Sequence, residues 1–532
     1  MRFTASLRAF TRVCNVALAG AVFAGVATAA ERAAYVRVSP RDPRYFELSD
    51  GQRYVPIGLN LAVSPTGVKL GVSQVGELPD YERWFRRLSE NHGNYARIWL
   101  SSQTFDVEHA KSGQYDAERA RRIDRLLDLA RRYGIRLKLC LEHFRHVGDG
   151  PQPHFAKRLH HVSQGGPAEK TADFFDTPRC REQFKRKLAW YHDRYGDDPI
   201  VFGWELWNEI NCIRGGDWVS WSDDMLAELH RLFPKNLAMQ SIGSFDYAGY
   251  RDRLYRPLCT LPGNDVLQVH RYLDLGARLE VCHGPVDLLA ADAVRELLAF
   301  GVRKPILLAE SGAVERSHSG PFKLYQKDQA GIILHDVLFA PFFAGAAGPG
   351  HVWHWDLYVD RMNLWHHFAR FAKTVEGIDP AAERFQPAVV EHPRLRILAL
   401  RGQSVSLAWC RDSQNTWQSE LAQGQPPQAI EGAAVDLGGL LGQSFPRSVA
   451  AYDPWKDKWT ELRLNGTRAP LPGFSRSLII KVSTVGCNRA QAFPGDGNRQ
   501  SSPRPRQRLA QSRPARRLPA APTTRAPQWP RR

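Results

Sequence analysis

Short apolar segments alternate with amphipathic segments between about residues 54 and 380, and this alternation restricts the fold more than any other feature of the sequence. The apolar segments are rich in Val, Ile, Leu and aromatic residues, as buried strands are, and the segments between them have helical spacing. The predicted strands are 54–60, 95–100, 135–143, 200–208, 237–242, 266–272, 305–310 and 345–355. Eight such alternations predict an α/β fold, a (β/α)8 TIM barrel.

A doubly wound open sheet shows the same alternation, and the turn after the first strand separates the two folds. Such a sheet normally has a glycine-rich phosphate-binding turn at that point. This chain has Gly58-Leu-Asn-Leu-Ala62 there, which favours the barrel. Residues 34–53, with a turn at Asp50-Gly51, are predicted to form a hairpin that plugs the barrel floor.

The pattern changes at about residue 384, where short strands separated by turn signals replace the alternation. Asn465-Gly466 and Pro472-Gly473 are two of these signals, and they are typical of all-β domains. We therefore predict a barrel over residues 34–383 and a C-terminal β-sandwich domain over residues 384–486. A chain of 532 residues is long enough for two folded units.

The N-terminal segment has the order of a secretory signal peptide. Three arginines precede an apolar run at residues 16–26, and small residues follow the run. This order predicts a signal peptide over residues 1–30, cleaved after Ala29 or Ala30. The run is too short for a membrane span, so we expect a secreted or periplasmic protein without a transmembrane segment.

The C-terminal segment explains most of the positive charge of the chain. Residues 488–532 contain eleven Arg, one Asp and eight Pro, so they carry +10 of the net charge of +17. A segment this poor in apolar residues does not fold, and we predict a disordered basic tail over residues 487–532. No specific nucleic-acid partner is expected, because the tail offers only non-specific attraction to anionic surfaces. A degenerate or out-of-frame C-terminus is the alternative explanation of its composition.

Cysteine and histidine spacing gives no sign of a metal site. The seven cysteines after the signal peptide form no CxxC pair, although Cys259 and Cys282 are a possible disulfide in an exported protein. Four histidines lie close together in the sequence without ligand spacing: His351, His354, His366 and His367. We expect no metal and no cofactor.

Polar or aromatic side chains lie at the ends of most predicted barrel strands, where this fold carries its catalytic groups. These residues are Arg97, His143, Asn208, Glu209, His270, Tyr272, Glu310, Trp353 and Trp355. Cleavage of a glycoside needs one carboxylic acid for the leaving oxygen and one carboxylate at the anomeric carbon. Glu209 and Glu310, on the fourth and seventh predicted strands, meet this requirement.

Two motifs resemble those of a known family. Trp207-Asn-Glu209 and Ala309-Glu-Ser-Gly312 resemble clan A of the retaining glycoside hydrolases, and family five, the cellulase and β-mannanase type, is nearest. His270-x-Tyr272 resembles the sixth-strand pair of that family. The resemblance covers roughly residues 40–380. It implies an O-glycosyl hydrolase without a cofactor that acts on a β-linked polysaccharide or oligosaccharide, of the β-mannan or β-glucan type.

The resemblance also implies a role for each of these residues. Glu209 is the general acid/base and Glu310 the nucleophile of a double displacement. Supporting or substrate-binding roles fall to Arg97, His143, Asn208, His270, Tyr272, Trp353 and Trp355. The sequence does not choose between the two tryptophans as the sugar platform. Glu142 and Glu205 are expected to be structural, because Glu205 lies deeper in the barrel and Glu142 faces away from the cleft.

Other functions fit the same residues. A transglycosylase would use the same glutamates with a sugar acceptor in place of water. A non-catalytic carbohydrate-binding barrel would be favoured if either glutamate were replaced, but both are present. A basic adhesion protein that acts through its tail would lose surface binding, but not hydrolysis, on deletion of residues 488–532.

Overall fold

The computed structural model describes residues 34–64, 77–143, 147, 155–244, 246–442 and 446–484. The predicted signal peptide (residues 1–30) and the predicted basic tail (residues 487–532) lie outside the described residues and stay predictions.

Parallel strands form a closed barrel. The amino-terminal strands are β1 (Val36–Val38), β2 (Phe46–Leu48) and β3 (Arg53–Tyr54), and the barrel strands are β4 (Gly58–Asn60), β5 (Tyr95–Trp99), β6 (Arg136–Glu142), β7 (Val201–Trp207), β8 (Leu237–Met239), β9 (Leu267–Leu273) and β10 (Ile306–Ala313). Strands β4 to β8 form one sheet in sequence order, and β9 pairs with β10. Val352 forms a parallel bridge with Ser311 of β10, and its carbonyl accepts a bond from the backbone N–H of Asn60 in β4. The predicted (β/α)8 barrel is confirmed.

The eighth barrel segment differs from the prediction of a strand over residues 345–355. Val352 is a single bridge residue, and a π-helical turn begins at Trp355 (Trp355–Asp360). Trp353 and Trp355, which would share one face of a strand, therefore do not lie on a regular strand, and their ring planes are perpendicular. Periodicity identified the apolar segment here but not its backbone conformation.

Helices surround the barrel. They are α1 (Glu77–Glu90), α2 (Ala117–Tyr133), α3 (Thr171–Asp176), α4 (Pro178–Tyr195), α5 (Trp218–Leu232), α6 (Arg256–Cys259), α7 (Val286–Leu298), α8 (Ile332–Phe343), α9 (His366–Val375) and α10 (Pro380–Glu383); a further short helix, α11 (Gly438–Leu441), packs instead on the C-terminal antiparallel sheet. Local sequence sets their ends: the carboxylate of Asp116 caps α2, and Gly134 ends α2 in the left-handed conformation. The amino-terminal hairpin covers the barrel floor, where Phe46 packs edge-on against Phe202 at the start of β7.

An antiparallel sheet follows the barrel. Its strands are β11 (Gln386–Ala388), β12 (Leu395–Arg401), β13 (Val405–Asp412), β15 (Pro446–Asp453), β16 (Lys458–Glu461) and β18 (Ser477–Thr484), and a separate pair is β14 (Ala434–Asp436) and β17 (Arg468–Pro470). One face of the sheet packs on α8, where Trp409 stacks on Phe339. The opposite face packs against Val435 of β14 and Ala469 of β17. The assignment of residues 384–486 as an independent all-β sandwich domain stays a prediction.

Two further properties concern export. The six described cysteines carry free thiols, so the possible disulfide between Cys259 and Cys282 is not formed in this structure. Among the described helices, none combines the length and apolar composition that crossing a membrane requires.

Candidate active site

A cavity of about 540 Å³ lies at the carboxyl ends of the barrel strands. Residues from five barrel segments line it, including Trp99, Asn208, Glu209, Tyr272, Glu310 and Trp353. Another cavity, of about 440 Å³, lies by the barrel floor between residues of β3 and α9, and neither predicted catalytic glutamate lines it. The first cavity is therefore the candidate active site.

The two predicted catalytic carboxylates meet at one imidazole nitrogen. Nδ1 of His270 lies 2.9 Å from Oε1 of Glu209 and 3.4 Å from Oε2 of Glu310. One ligand atom from each of the three side chains lies within 4.8 Å of the others. Retaining glycosidases hold their two carboxyl groups about 5–5.5 Å apart, whereas inverting enzymes need about 6.5–9.5 Å. Carboxylate atoms within 4.8 Å of each other agree better with the shorter of these two separations.

Glu209 lies immediately after β7, where the backbone leaves the strand. Its φ of 52° and ψ of 57° are left-handed, which is unusual for a residue with a side chain. Its backbone N–H donates to Oγ of Ser241, and Sγ of Cys212 lies 3.8 Å from its Oε2. Burial raises the pKa of Glu209, although the positive charge of Arg97 opposes the rise.

Glu310 lies at a register shift of β10, between Leu308 and Glu310 in the pairing with β9. Such irregularities redirect side chains next to active sites. The hydroxyl of Tyr272 donates to Oε2 of Glu310 at 2.8 Å, and Nη1 of Arg97 donates to Oε1. Both oxygens of Glu310 thus accept hydrogen bonds, one from a hydroxyl and one from a guanidinium.

Arg97 connects the nucleophile candidate to the barrel interior. Its guanidinium makes two bonds to Glu205, at 2.6 and 3.0 Å, and one to Oδ1 of Asn208 at 2.7 Å. Lys138 lies 3.4 Å from Glu205. Burial opposes ionisation of Glu205, but these two cations outweigh it and lower the pKa of Glu205 to about 2. Burial lowers the pKa of Lys138 to about 8.

The buried charges around the site balance when Glu209 is protonated. Arg97 and Lys138 supply two positive charges, and Glu205 and Glu310 supply two negative ones. Burial lowers the pKa of His270 to about 4, so its imidazole is neutral at pH 7. An ionised Glu209 would add a third negative charge to this cluster, and an unbalanced buried charge is costly.

Aromatic rings also line the cavity. Trp353 is half-buried and its ring centroid lies 5.2 Å from that of Trp99. Trp355 is almost fully buried, with its edge against Trp84, although it also lines the cavity. His143 does not line the cavity; its ring stacks on Trp99 at 4.9 Å, and its Nδ1 is 2.7 Å from Oγ of Ser101.

Among the cavity residues that were not predicted from the sequence, three carry aromatic or imidazole rings. Trp99 ends β5 and lines the cavity beside Arg97. Its position at a strand end could have identified it as a site residue from the sequence. His354 and His318 also line the cavity. His318 lies on the loop after β10, and no periodic pattern marks a residue in such a loop.

Glu209, His270 and Glu310 are also the one group of described His, Cys, Asp and Glu side chains that is arranged so that it could hold a metal ion. The bond of Arg97 to Glu310 places a fixed cation at the same carboxylate, and electrostatic repulsion by that cation disfavours a second one.

Comparison with known proteins adds sequence relatives and a matching fold. No family model matches the chain. It is 26% identical to "Mannan endo-1,4-beta-mannosidase 4" of Oryza sativa subsp. japonica over 204 residues, which cover 35% of this chain and 43% of that protein. It is 24% identical to "Mannan endo-1,4-beta-mannosidase 2" of the same organism over 391 residues, 66% of this chain and 83% of that protein.

The fold matches a solved family-five enzyme structure from Bacteroides vulgatus with a TM-score of 0.50 and 12% identity, over 86% of this chain and 95% of that one. The chain is a relative of the family-five glycoside hydrolases. It spans about a third to a half of the length of the first curated relatives it matches. In this glycoside hydrolase relative, the glutamates of the two quoted motifs are those that meet at His270.

Proposed function

We propose that this chain is a retaining O-glycosyl hydrolase that cleaves β-mannan, with Glu209 as general acid/base and Glu310 as nucleophile. One observation carries the proposal: both carboxylates lie within hydrogen-bonding range of Nδ1 of His270, at the wall of a cavity of about 540 Å³. The names of the sequence relatives support β-mannan over β-glucan as the substrate class.

In the first step, Glu209 donates a proton to the leaving oxygen while Glu310 attacks the anomeric carbon. The charge balance of the site supports this assignment. Burial raises the pKa of Glu209, which favours its protonated form, whereas both carboxylate oxygens of Glu310 accept hydrogen bonds, from Arg97 and Tyr272.

In the second step, Glu209 acts as a base. When Glu310 forms an ester with the sugar, the site loses one negative charge. The two buried cations then favour ionisation of Glu209, which lowers its pKa and lets it accept a proton from water. Water attacks the anomeric carbon on the face that the first sugar left, and the configuration is retained.

Two further residues orient the sugar. The amide oxygen of Asn208 accepts a hydrogen bond from Arg97, so its NH2 group remains to donate to a substrate hydroxyl. We propose that this hydroxyl is the sugar 2-hydroxyl. The half-buried ring of Trp353 offers an apolar face to the sugar ring. We assign His143 a positioning role, because its ring stacks on Trp99.

The test is a substrate screen of the purified protein. Mannan, β-glucan, xylan and an aryl β-mannoside are compared, and proton NMR follows the anomer released first from mannan-derived oligosaccharides. We expect β-mannan to be the best substrate and the β-anomer to appear first. Glu310→Gln should remove activity, while Glu315→Gln, at a half-buried carboxylate of the following loop that pairs with the exposed Lys323, should keep it. First release of the α-anomer would contradict a retaining mechanism.

We further propose that the protein is exported after cleavage near residue 30 and that residues 384–486 form an all-β sandwich domain. The apolar run at residues 16–26 and the antiparallel sheet packed on α8 support these assignments. N-terminal sequencing of the exported protein tests the first. For the second, limited proteolysis should release a stable fragment that ends near residue 383.

A further inference from the structure

The loop that follows β10 holds His318 at the wall of the cavity in an unusual backbone conformation. Ser317 and His318 are consecutive non-glycine residues with φ near 60°. Such conformations are unfavourable for residues with side chains, and they cluster at functional sites. Oδ1 of Asp274 holds the turn, because it accepts bonds of 2.7 Å from the backbone N–H groups of Ser317 and Gly276.

The imidazole of His318 is fixed at both nitrogens. Nδ1 lies 2.9 Å from Oδ2 of Asp274, which is 1% exposed, and Nε2 lies 3.0 Å from Oγ of Ser244. The ring also packs edge-on against Tyr272, with centroids 5.1 Å apart. Ser244, Asp274 and His318 come from the loops after β8, β9 and β10, so this one side chain joins three neighbouring loops.

These loops lie on the acid/base side of the cavity. Gly243, next to Ser244, is so close to Glu209 that a Cβ atom at residue 243 would lie 3.3 Å from Cδ of Glu209. The tryptophan wall belongs to other segments, the end of β5 and the segment after Val352. Because Glu209 must face the oxygen that leaves, the three loops adjoin the space that receives the leaving group.

The geometry points to His318 as a specificity-determining residue that binds a hydroxyl of the leaving sugar, with Asp274 and Ser244 as positioning residues. Nδ1 is held by the buried carboxylate of Asp274, so Nε2 is the ring nitrogen left to meet a ligand. The hydroxyl of Ser244 lies 3.0 Å from Nε2 and can rotate away, and a sugar hydroxyl then takes its place. The inference rests on the proposed function and names a residue of its leaving-group site.

The order Ser244, His318, Asp274 is also that of a nucleophilic triad, in which the serine would carry the chemistry. Here His318 lines the cavity and Ser244 does not. The side chain placed to touch a bound sugar is therefore the imidazole, and we assign the network to recognition.

The experiment compares two substrates that differ on the leaving side. Mannopentaose places a sugar there, whereas an aryl β-mannobioside with a dinitrophenol leaving group does not. The readout is the ratio of kcat/KM for mannopentaose to kcat/KM for the aryl substrate. His318→Ala and His318→Gln should lower this ratio about tenfold or more, because a hydrogen bond to the leaving sugar is lost.

Asp274→Asn should lower the ratio in the same direction, since it releases the imidazole. His109→Ala is the matched control, because His109 forms a similar pair with Asp116 (2.8 Å) outside the cavity, and it should keep the ratio. An unchanged ratio in both folded His318 variants would overturn the inference. Absence of wild-type activity on both substrates would instead refute the proposed function.

Discussion

The guanidinium of Arg97 and the carboxylate of Glu205 form a two-point ion pair inside the barrel, with Nε 2.6 Å from Oε2 and Nη2 3.0 Å from Oε1. Both side chains are fully buried. The pair fixes the plane of the guanidinium, so its remaining donors are directed at Glu310 and Asn208. A residue expected to be structural thus sets the geometry of two residues assigned to chemistry.

Glu205→Gln should therefore be strongly destabilising. The substitution leaves Arg97 and Lys138 without one of their counter-charges, and breaking a buried pair costs about 3–5 kcal/mol. The free energy of unfolding in urea measures the effect. Glu228→Gln is the control, because Glu228 pairs with the exposed Arg231, and we expect a loss of about 1 kcal/mol or less. Equal losses in the two variants would contradict the role of Glu205.

Azide rescue should separate the roles of Glu209 and Glu310. With a dinitrophenyl β-mannoside, Glu209→Ala still forms the glycosyl-enzyme, because this leaving group needs no proton. Azide then attacks the intermediate and gives the β-mannosyl azide. In Glu310→Ala, azide attacks the substrate directly and gives the α-azide. NMR of the products identifies the anomer, and the same anomer from both variants would refute the assignment.

The decrease of kcat/KM at high pH should follow the pKa of Glu209. The first step needs the proton of Glu209, so activity falls as pH rises through that pKa. Burial raises that pKa, while the hydrogen bond from Cys212 lowers it. Cys212→Ala removes this bond, so the basic limb of kcat/KM should move to higher pH. A shift to lower pH, or none, would show that another group controls the limb.

His351 should make the fold sensitive to acid. Burial lowers the pKa of His351 to about 3, from an ordinary value of 6.5. Its stabilising contribution is complete above pH 6.5 and is lost as pH falls toward 3, by about 1.4 kcal/mol per pH unit. The unfolding free energy of the wild type relative to His351→Gln should decrease over this range. A constant difference between pH 7 and 5 would exclude a buried neutral His351.

Two tryptophan variants should identify the sugar platform. Trp353 is half-buried at the cavity wall, whereas Trp355 is 3% exposed and packs on Trp84. Trp353→Ala should raise KM while the unfolding free energy changes little. Trp355→Ala should cost about 3–5 kcal/mol of stability, because it leaves a cavity in the core. A mannobiose titration followed by tryptophan fluorescence, together with urea unfolding, distinguishes the two outcomes.

Several parts of the fold were predictable because they depend on local patterns. Apolar runs bounded by helical segments predicted the barrel, and the ends of those runs named six of the residues that line the cavity: Asn208, Glu209, Tyr272, Glu310, Trp353 and Trp355. The hairpin over the floor was also predictable, since Asp50-Gly51 is a local turn signal. The prediction of an eighth strand was wrong in its extent, because an apolar, aromatic segment has the same composition in a strand and in a π-helical turn.

The sequence by itself predicted the class of fold and named the pair of glutamates, because strand periodicity and motif spacing are properties of the linear chain. Only the tertiary structure decided how charge is distributed around that pair. Arg97 and Glu205 are 108 residues apart, and His318 and Ser244 are 74 apart. Such contacts depend on barrel closure and on loop conformation, and pKa shifts depend on burial. None of these quantities is a property of a local stretch of residues.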